Sequence, residues 1–112
     1  QRAKNIKDAY YSNHYDSTSI KFQEFVKNYN AAFNTPPNIE AYLAYDAAGI
    51  FFEAVKEANS LDGDKIVAAL KNLSYNGITG PIEFKNSNDP IKPVYIYGFK
   101  GNTPYLAETI KP

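Results

Sequence analysis

The sequence of 112 residues contains no cysteine, no methionine and no tryptophan, and its only histidine is His14. Without cysteine the chain cannot form disulfides, thiolate metal sites, iron–sulfur clusters or a cysteine nucleophile. A single histidine also excludes zinc sites that need several imidazole ligands. We therefore expect this chain to hold neither a metal nor a cofactor.

The sequence also has no excess of positive or negative charge. Twelve lysine and arginine residues balance twelve aspartate and glutamate residues, so the formal net charge is zero. Nucleic-acid binders draw much of their affinity from basic side chains, so we expect no nucleic-acid partner. No stretch approaches the roughly 20 apolar residues of a membrane span. Residues 1–5 lack the apolar core of a signal peptide, as a mature exported chain also would.

Aromatic residues, in contrast, are plentiful. Ten tyrosines and seven phenylalanines make up 15% of the chain. Tyrosine combines an apolar ring with a hydroxyl, which suits half-wet surfaces such as ligand clefts and interfaces. A general compositional bias toward tyrosine, asparagine and lysine would produce the same excess, so composition leaves both interpretations open.

Apolar residues at helical spacing predict a first helix after a polar segment at residues 13–19. Its apolar stripe consists of Phe22, Phe25, Val26, Tyr29 and Phe33. A side-chain oxygen of Asp16, Ser17 or Ser19 can cap the first turn. The helix is expected to end near Asn34, because the two prolines that follow remove amide donors.

A second helix is predicted over residues 39–58, with Asn38 as its N-cap. Because its apolar band is broad and carries few charges, we expect it to be buried on most of its surface. Gly49 lies inside it at a cost of about 1 kcal/mol relative to alanine, which indicates close backbone packing. A third helix is predicted from residue 64 to about residue 72, capped by Asp62 or Asp64.

Two further segments follow the third helix. Residues 75–81 are predicted to form a loop. Ile82 and Phe84 alternate with charged residues, which predicts a short half-buried strand.

Three segments at the two ends of the chain are also predicted to be strands. Residues 9–11 form a short apolar run that could end a strand. Residues 94–99 are apolar on both faces, so we expect this strand to be covered on both. A turn at residues 101–102 leads to a last strand at residues 105–106.

No motif in the sequence marks an enzyme. His14 lies in a polar segment with no nucleophile beside it, and the chain has no Gly-x-Ser-x-Gly elbow. Asp62 and Asp64 lack the other positions of a calcium loop, which favours helix capping. Gly77 and Gly80 lack the lysine and the helix of a phosphate loop. We therefore expect no catalytic residues.

Two residues are candidates for binding. Asp8 is either a solvated carboxylate or, beside Tyr10 and Tyr11, a partner for a ligand ammonium. Tyr42, with Tyr45 three residues later, either packs in the core or forms an aromatic wall of a pocket. The pattern of residues alone leaves both pairs of alternatives open.

The order of several segments carries a family resemblance. They are the aromatic helix stripe from Phe22 to Tyr29, the Pro36-Pro37 break, the run Ala44-Tyr45-Asp46-Ala47, residues 75–84 and the strand at 94–99. This order resembles the C-terminal part of type I periplasmic binding proteins, the Leu/Ile/Val-binding branch of ABC-transporter solute receptors. The resemblance covers nearly the whole chain.

The resemblance implies an α/β fragment of a two-lobed receptor that closes on a solute by hinge bending. The fragment would contain three helices and a few short C-terminal strands. Residues 1–36 and 93–112 would belong to the second lobe, and residues 38–90 to the first.

The resemblance also implies a function. It is that of the extracytoplasmic solute-binding component of an ABC importer, periplasmic or a cell-surface lipoprotein, which serves a membrane permease. The solute would be a branched-chain or other amino acid. Asp8 aligns with the acid that takes the ligand ammonium, and Tyr42 with the aromatic that lines the side-chain pocket. A ligand-sensing domain of a receptor with the same fold is the alternative.

Two expectations concern the chain by itself. The groups that hold the ligand carboxylate would come from the first lobe, outside this sequence, so this chain should bind its solute weakly or not at all. The second helix would keep an uncovered apolar face, which predicts dimerisation or strand exchange between copies.

Overall fold

A computed structural model describes residues 9–112 of the chain. The elements, in order, are β1 (Tyr10–Asn13), α1 (Ile20–Phe33), α2 (Ile39–Ala58), α3 (Gly63–Leu70), β2 (Ser74–Gly77), β3 (Gly80–Glu83), β4 (Val94–Lys100) and β5 (Thr103–Ile110). The mixture of helices and strands confirms the predicted α/β class.

Strands from both ends of the described chain form one antiparallel sheet. Its order is β1-β4-β5, with Tyr10 opposite Gly98 and Val94 opposite Ile110. β4 and β5 form a hairpin whose turn contains Gly101 at φ +63°, a left-handed conformation that glycine adopts without strain. β5 spans eight residues and is longer than the strand predicted at residues 105–106.

The three helices begin where the sequence predicts, because side-chain oxygens cap them. Ser19 accepts a hydrogen bond from the Phe22 amide, and Asn38 accepts one from the Ala41 amide. α1 ends at Asn34, which adopts a left-handed conformation. For α3 the structure selects Asp62 as the cap over Asp64, and the helix ends at Leu70, slightly earlier than predicted.

The prediction of a loop at residues 75–81 is wrong, because this segment forms the hairpin of β2 and β3. Gly77 lies opposite Gly80, so only Ile78 and Thr79 form the turn. Two-residue hairpin turns favour glycine, asparagine or aspartate, and these two residues are β-branched. The turn signal is therefore missing from the local sequence, and contacts from another element hold the turn.

The carboxylate of Asp46 on α2 holds the turn of the β2–β3 hairpin. It is 2% exposed and accepts hydrogen bonds from the backbone amides of Ile78 and Thr79, at 2.8 and 2.9 Å. The Thr79 hydroxyl donates a third bond at 2.6 Å. The turn approaches so closely that a Cβ added at Gly77 would lie 2.4 Å from Asp46 Oδ2. The carboxylate thus replaces the local turn chemistry that the sequence lacks.

The prediction that α2 is buried on most of its surface is wrong for the described part of the chain. Only Tyr42, Asp46 and Ala54 are buried, whereas Phe51 and Phe52 are exposed. Among residues 9–112, α3 and the β2–β3 hairpin cover one side of this helix. Its apolar band is wider than what these elements can cover.

β4 is also covered less evenly than predicted. Tyr95 and Tyr97 on one face are buried, while Ile96 on the other face is half-buried and Val94 is exposed. The alternation indicates that one face of this strand packs on protein and the other is only partly covered.

The central hydrophobic cluster joins three elements. Phe22 of α1, Tyr42 of α2 and Ile78 of the hairpin turn are its buried members. Tyr15 and Phe25 pack against them. The cluster therefore positions α1 relative to α2 and the hairpin.

We expect Asp46→Asn to lower the free energy of unfolding by about 2–3 kcal/mol, because the new amide group would face buried N–H donors. Chemical denaturation monitored by circular dichroism measures this change. The control is Glu53→Gln on the same helix, which affects only an exposed ion pair with Lys56 and should change the value by under about 0.5 kcal/mol. Equal effects of the two substitutions would contradict the role given to Asp46.

Candidate functional site

Tyr42, one of the two predicted site residues, lies in the first turns of α2 with its ring inside the central cluster. Its side chain is 8% exposed, and its hydroxyl donates to the Pro37 carbonyl at 3.1 Å. The rings of Phe22 and Tyr15 lie 4.7 and 5.0 Å away between centroids. Burial, together with Tyr15, raises the pKa of the Tyr42 phenol. Within residues 9–112 this ring packs as a core residue, and its role as a pocket wall stays a prediction.

Asp8, the other predicted site residue, lies outside the described residues. The first described strand begins at Tyr10, two positions further along the chain. The role of Asp8 as an ammonium partner therefore also stays a prediction. His14 is exposed on the loop after β1, where its backbone amide donates to the Asn13 side chain at 2.8 Å.

The hydroxyl of Tyr97 fixes the loop that brings Tyr15 onto Tyr42. It accepts from the Ser17 amide at 2.8 Å and donates toward the Tyr15 carbonyl at 3.1 Å. The Tyr15 ring then stacks on Phe22 at 4.4 Å with an interplanar angle of 8°. The three-stranded sheet is thereby connected to the aromatic cluster through one phenol. No local sequence pattern predicts this contact, because the partners are 80 or more residues apart.

A groove of about 780 Å³ runs between α1, α2 and the β2–β3 hairpin. This volume lies within the range of about 300–1,000 Å³ typical of small-molecule sites. Its aromatic wall consists of Phe25, Tyr29, Phe33, Tyr45 and Tyr75. Lys21 and Glu24 lie along the α1 side, and the Lys21 ammonium donates to the Asn76 carbonyl. Of the two tyrosines considered as an aromatic pocket wall, Tyr45 lines this groove and Tyr42 does not.

Tyr75 lines the groove from β2, and the loop predicted over residues 75–81 gives no sign of this role. Its ring lies against the backbone of α2, where a Cβ added at Gly49 would be 2.0 Å from the hydroxyl. This confirms the prediction that Gly49 marks close packing. Burial raises the pKa of the Tyr75 phenol, with a smaller contribution from the Asp46 carboxylate.

A second, smaller hollow of about 360 Å³ lies on the other side of α2. Its walls are mainly apolar, and the polar residues that line it are Asp46, Thr79 and Lys92. The Lys92 ammonium donates to the Thr79 hydroxyl at 2.7 Å, and that hydroxyl donates to Asp46. Burial lowers the pKa of Lys92, while the Asp46 carboxylate opposes that shift. We name this hollow, lined mainly by α2, Leu70, Ile82 and Phe84, the α2 trough.

Two kinds of feature are not found in residues 9–112. No three or more histidine or carboxylate side chains there are grouped to hold a metal ion. No helix in that part of the chain is long and apolar enough to cross a bilayer.

The raised pKa values of Tyr42 and Tyr75 predict a loss of stability at alkaline pH. The unfolded chain releases these protons near pH 10, before the folded chain does, so stability holds below about pH 10 and falls above it. We expect Tyr75→Phe to reduce the fall in melting temperature between about pH 8 and pH 11. Tyr10→Phe, at a ring that is 62% exposed on β1, is the control. An unchanged pH dependence in Tyr75→Phe would contradict the prediction.

Solved structures of solute-binding proteins resemble this chain. A leucine-binding protein of Thermotoga maritima is 26% identical with a TM-score of 0.73, over 92% of this chain and 31% of that one. A branched-chain amino acid substrate-binding protein of Streptococcus pneumoniae, in complex with isoleucine, is 26% identical with a TM-score of 0.73, over 92% and 30%. A solute-binding protein of Rhodopseudomonas palustris, in complex with 3,4-dihydroxybenzoic acid, is 26% identical with a TM-score of 0.77, over 91% and 30%.

The chain thus spans a little under a third of the length of these structures. Its fold is part of their two-lobed architecture, as the order of its sequence segments indicates. The sequence profile of the periplasmic binding protein family matches residues 4–104, which is most of the chain. This chain therefore belongs to the periplasmic binding protein family.

Proposed function

We propose that this chain is part of the extracytoplasmic solute-binding component of an ABC importer. The observation that carries the proposal is the family match over residues 4–104, supported by the similarity to solute-binding proteins of such transporters. The expected location is the periplasm or the cell surface, and the expected partner is a membrane permease. Binding and release of a solute, with no chemical step, is the activity.

The solute class proposed is an amino acid. The similar structures hold two kinds of ligand, isoleucine and 3,4-dihydroxybenzoic acid. Both carry a carboxyl group, but only the amino acid carries an ammonium, which requires an acidic partner. Asp8 is the acid that supports the choice of an amino acid. Tyr42 would contribute aromatic surface for the solute side chain.

The division into lobes belongs to the same proposal. Residues 1–36 and 93–112 are assigned to the second lobe, and residues 38–90 to the first. In support, β1, β4 and β5 share one sheet, while β2 and β3 form a separate ladder. Closure would then change the packing between Phe22 on α1 and Tyr42 on α2, because these residues lie on opposite sides of the division.

We expect amino acids to raise the melting temperature of the full-length protein, since a ligand that binds only the folded state stabilises it by mass action. A thermal-shift screen of amino acids and benzoates measures this. Asp8→Asn should abolish the shift with amino acids, because their ammonium would lose its charged partner. Glu57→Gln, at an exposed residue of α2 that lines neither hollow, is the control. A shift with benzoates alone would overturn the amino acid assignment, and no shift with any solute would overturn the importer proposal.

The 112-residue chain by itself should bind these amino acids weakly, because the donors for the ligand carboxylate are expected in the first lobe outside this sequence. Titration calorimetry should show no saturable heat with amino acid up to about 1 mM, equivalent to less than about 4 kcal/mol of binding free energy. Micromolar binding by this chain would show that it carries a complete site.

A further inference from the structure

Two short segments connect the ranges that the proposed function assigns to different lobes. We name residues 34–38 the first crossing and residues 90–94 the second crossing. Three residues lie between the assigned ranges, namely Pro37 in the first crossing and Ile91 and Lys92 in the second. Each crossing contains two prolines, which fix φ and restrict the residue before them to extended conformations. Neither segment is therefore free to bend at every residue.

A hydroxyl on α2 holds the first crossing. The Tyr42 phenol donates to the Pro37 carbonyl at 3.1 Å, and Pro37 itself is buried. The next residue, Asn38, caps the first turn of α2 with its side chain. The last residues of this crossing are therefore fixed on α2, and bending is left to residues 34–36.

Two sets of bonds hold the second crossing on the elements assigned to the first lobe. Ile91 and Glu83, at the end of β3, exchange both of their backbone hydrogen bonds, at 2.7 and 3.0 Å. Lys92 donates to the Thr79 hydroxyl at 2.7 Å, and that hydroxyl donates to the buried carboxylate on α2. Bending of this crossing is therefore left to residues 93–94.

The groups that hold the two crossings are neighbours on α2. Tyr42 and Asp46 are four residues apart, which places them on one face of the helix and about 6 Å apart along its axis. Both side chains are buried, which shields their hydrogen bonds from water. We propose that Tyr42 and the chain of bonds from Asp46 to Lys92 hold both crossings on the first lobe, a role that rests on the lobe division proposed above. Closure then bends the chain at residues 34–36 and 93–94.

Interlobe distances in the full-length protein test the second crossing. Spin labels on Lys65→Cys in α3 and Asn102→Cys in the β4–β5 turn, two exposed positions assigned to different lobes, report these distances by pulsed electron paramagnetic resonance. Any cysteine elsewhere in the protein is first replaced by serine. Lys92→Met removes the ammonium and keeps a long side chain. It should widen the distance distribution without solute by at least about 2 Å, because a freed residue adds up to about 3.5 Å of reach. Lys56→Met, which breaks an exposed ion pair on α2, is the control and should leave the width unchanged.

Tyr42→Phe tests the first crossing, because it removes the hydroxyl that binds Pro37 and keeps the ring. It should also widen the distribution without solute, whereas a ring that served only as a pocket wall would not change it. Tyr45→Phe, on the same helix at a ring that is 54% exposed, is the control. An unchanged width in Lys92→Met or Tyr42→Phe would overturn the role given to its crossing, even if the melting temperature fell. Equal widening in the matched controls would overturn it as well.

The test is independent of the solute assignment. The widths are recorded without solute, so they do not depend on whether the protein binds an amino acid. A wrong solute class would appear in the thermal-shift screen, whereas a wrong assignment of the holding groups would appear in the distance distributions.

Discussion

The buried carboxylate of Asp46 is the contact on which the arrangement of the other elements depends. It joins α2 to the turn of the β2–β3 hairpin, and through the Thr79 hydroxyl it reaches Lys92, which lies just before β4. A buried carboxylate is stable only when its oxygens are bonded, and here three donors meet that need. The same bonds satisfy two backbone amides in a turn that lacks glycine or asparagine. The helix and the hairpin therefore each depend on the other.

The close contact between α2 and the hairpin explains why glycine occupies two positions. Gly77 leaves room for the Asp46 carboxylate, and Gly49 leaves room for the Tyr75 hydroxyl. Both glycines lie where the hairpin meets α2, and at both positions the space is occupied by a side chain of the other element. A glycine inside a helix weakens it, and the close approach of Tyr75 gives a reason for Gly49. The hairpin thus contacts α2 at two points nearly one helical turn apart, which fixes its direction as well as its position.

Features encoded by neighbouring residues could be predicted, whereas those that depend on distant partners could not. Ser19, Asn38 and the prolines after α1 define helix ends within a few positions, so the helices were found. The hairpin was missed because its turn is held by Asp46, more than 30 residues away. The sequence feature that indicates this contact is Asp46 itself, a lone aspartate in the apolar band of α2. For the site, the sequence offers Tyr42 and Tyr45 as an aromatic pocket wall. In the structure Tyr42 lies in the central cluster, whereas Tyr45 lines the groove.

The exposed side of α2 follows from the same geometry. The hairpin and α3 pack on one side of the helix, and α1 packs on its Tyr42 and Tyr45 rings. Among the described elements, Leu43, Phe51 and Phe52 stay exposed. The large apolar side chains that are buried within residues 9–112 are few, namely Phe22, Tyr42, Ile66, Ile78, Ile82, Tyr95 and Tyr97. A core this small supplies limited apolar burial against the entropy of ordering the chain. Covering the α2 trough with more protein is therefore the most direct way for this chain to gain stability, because the apolar surface is already in place and its one cation is already bonded.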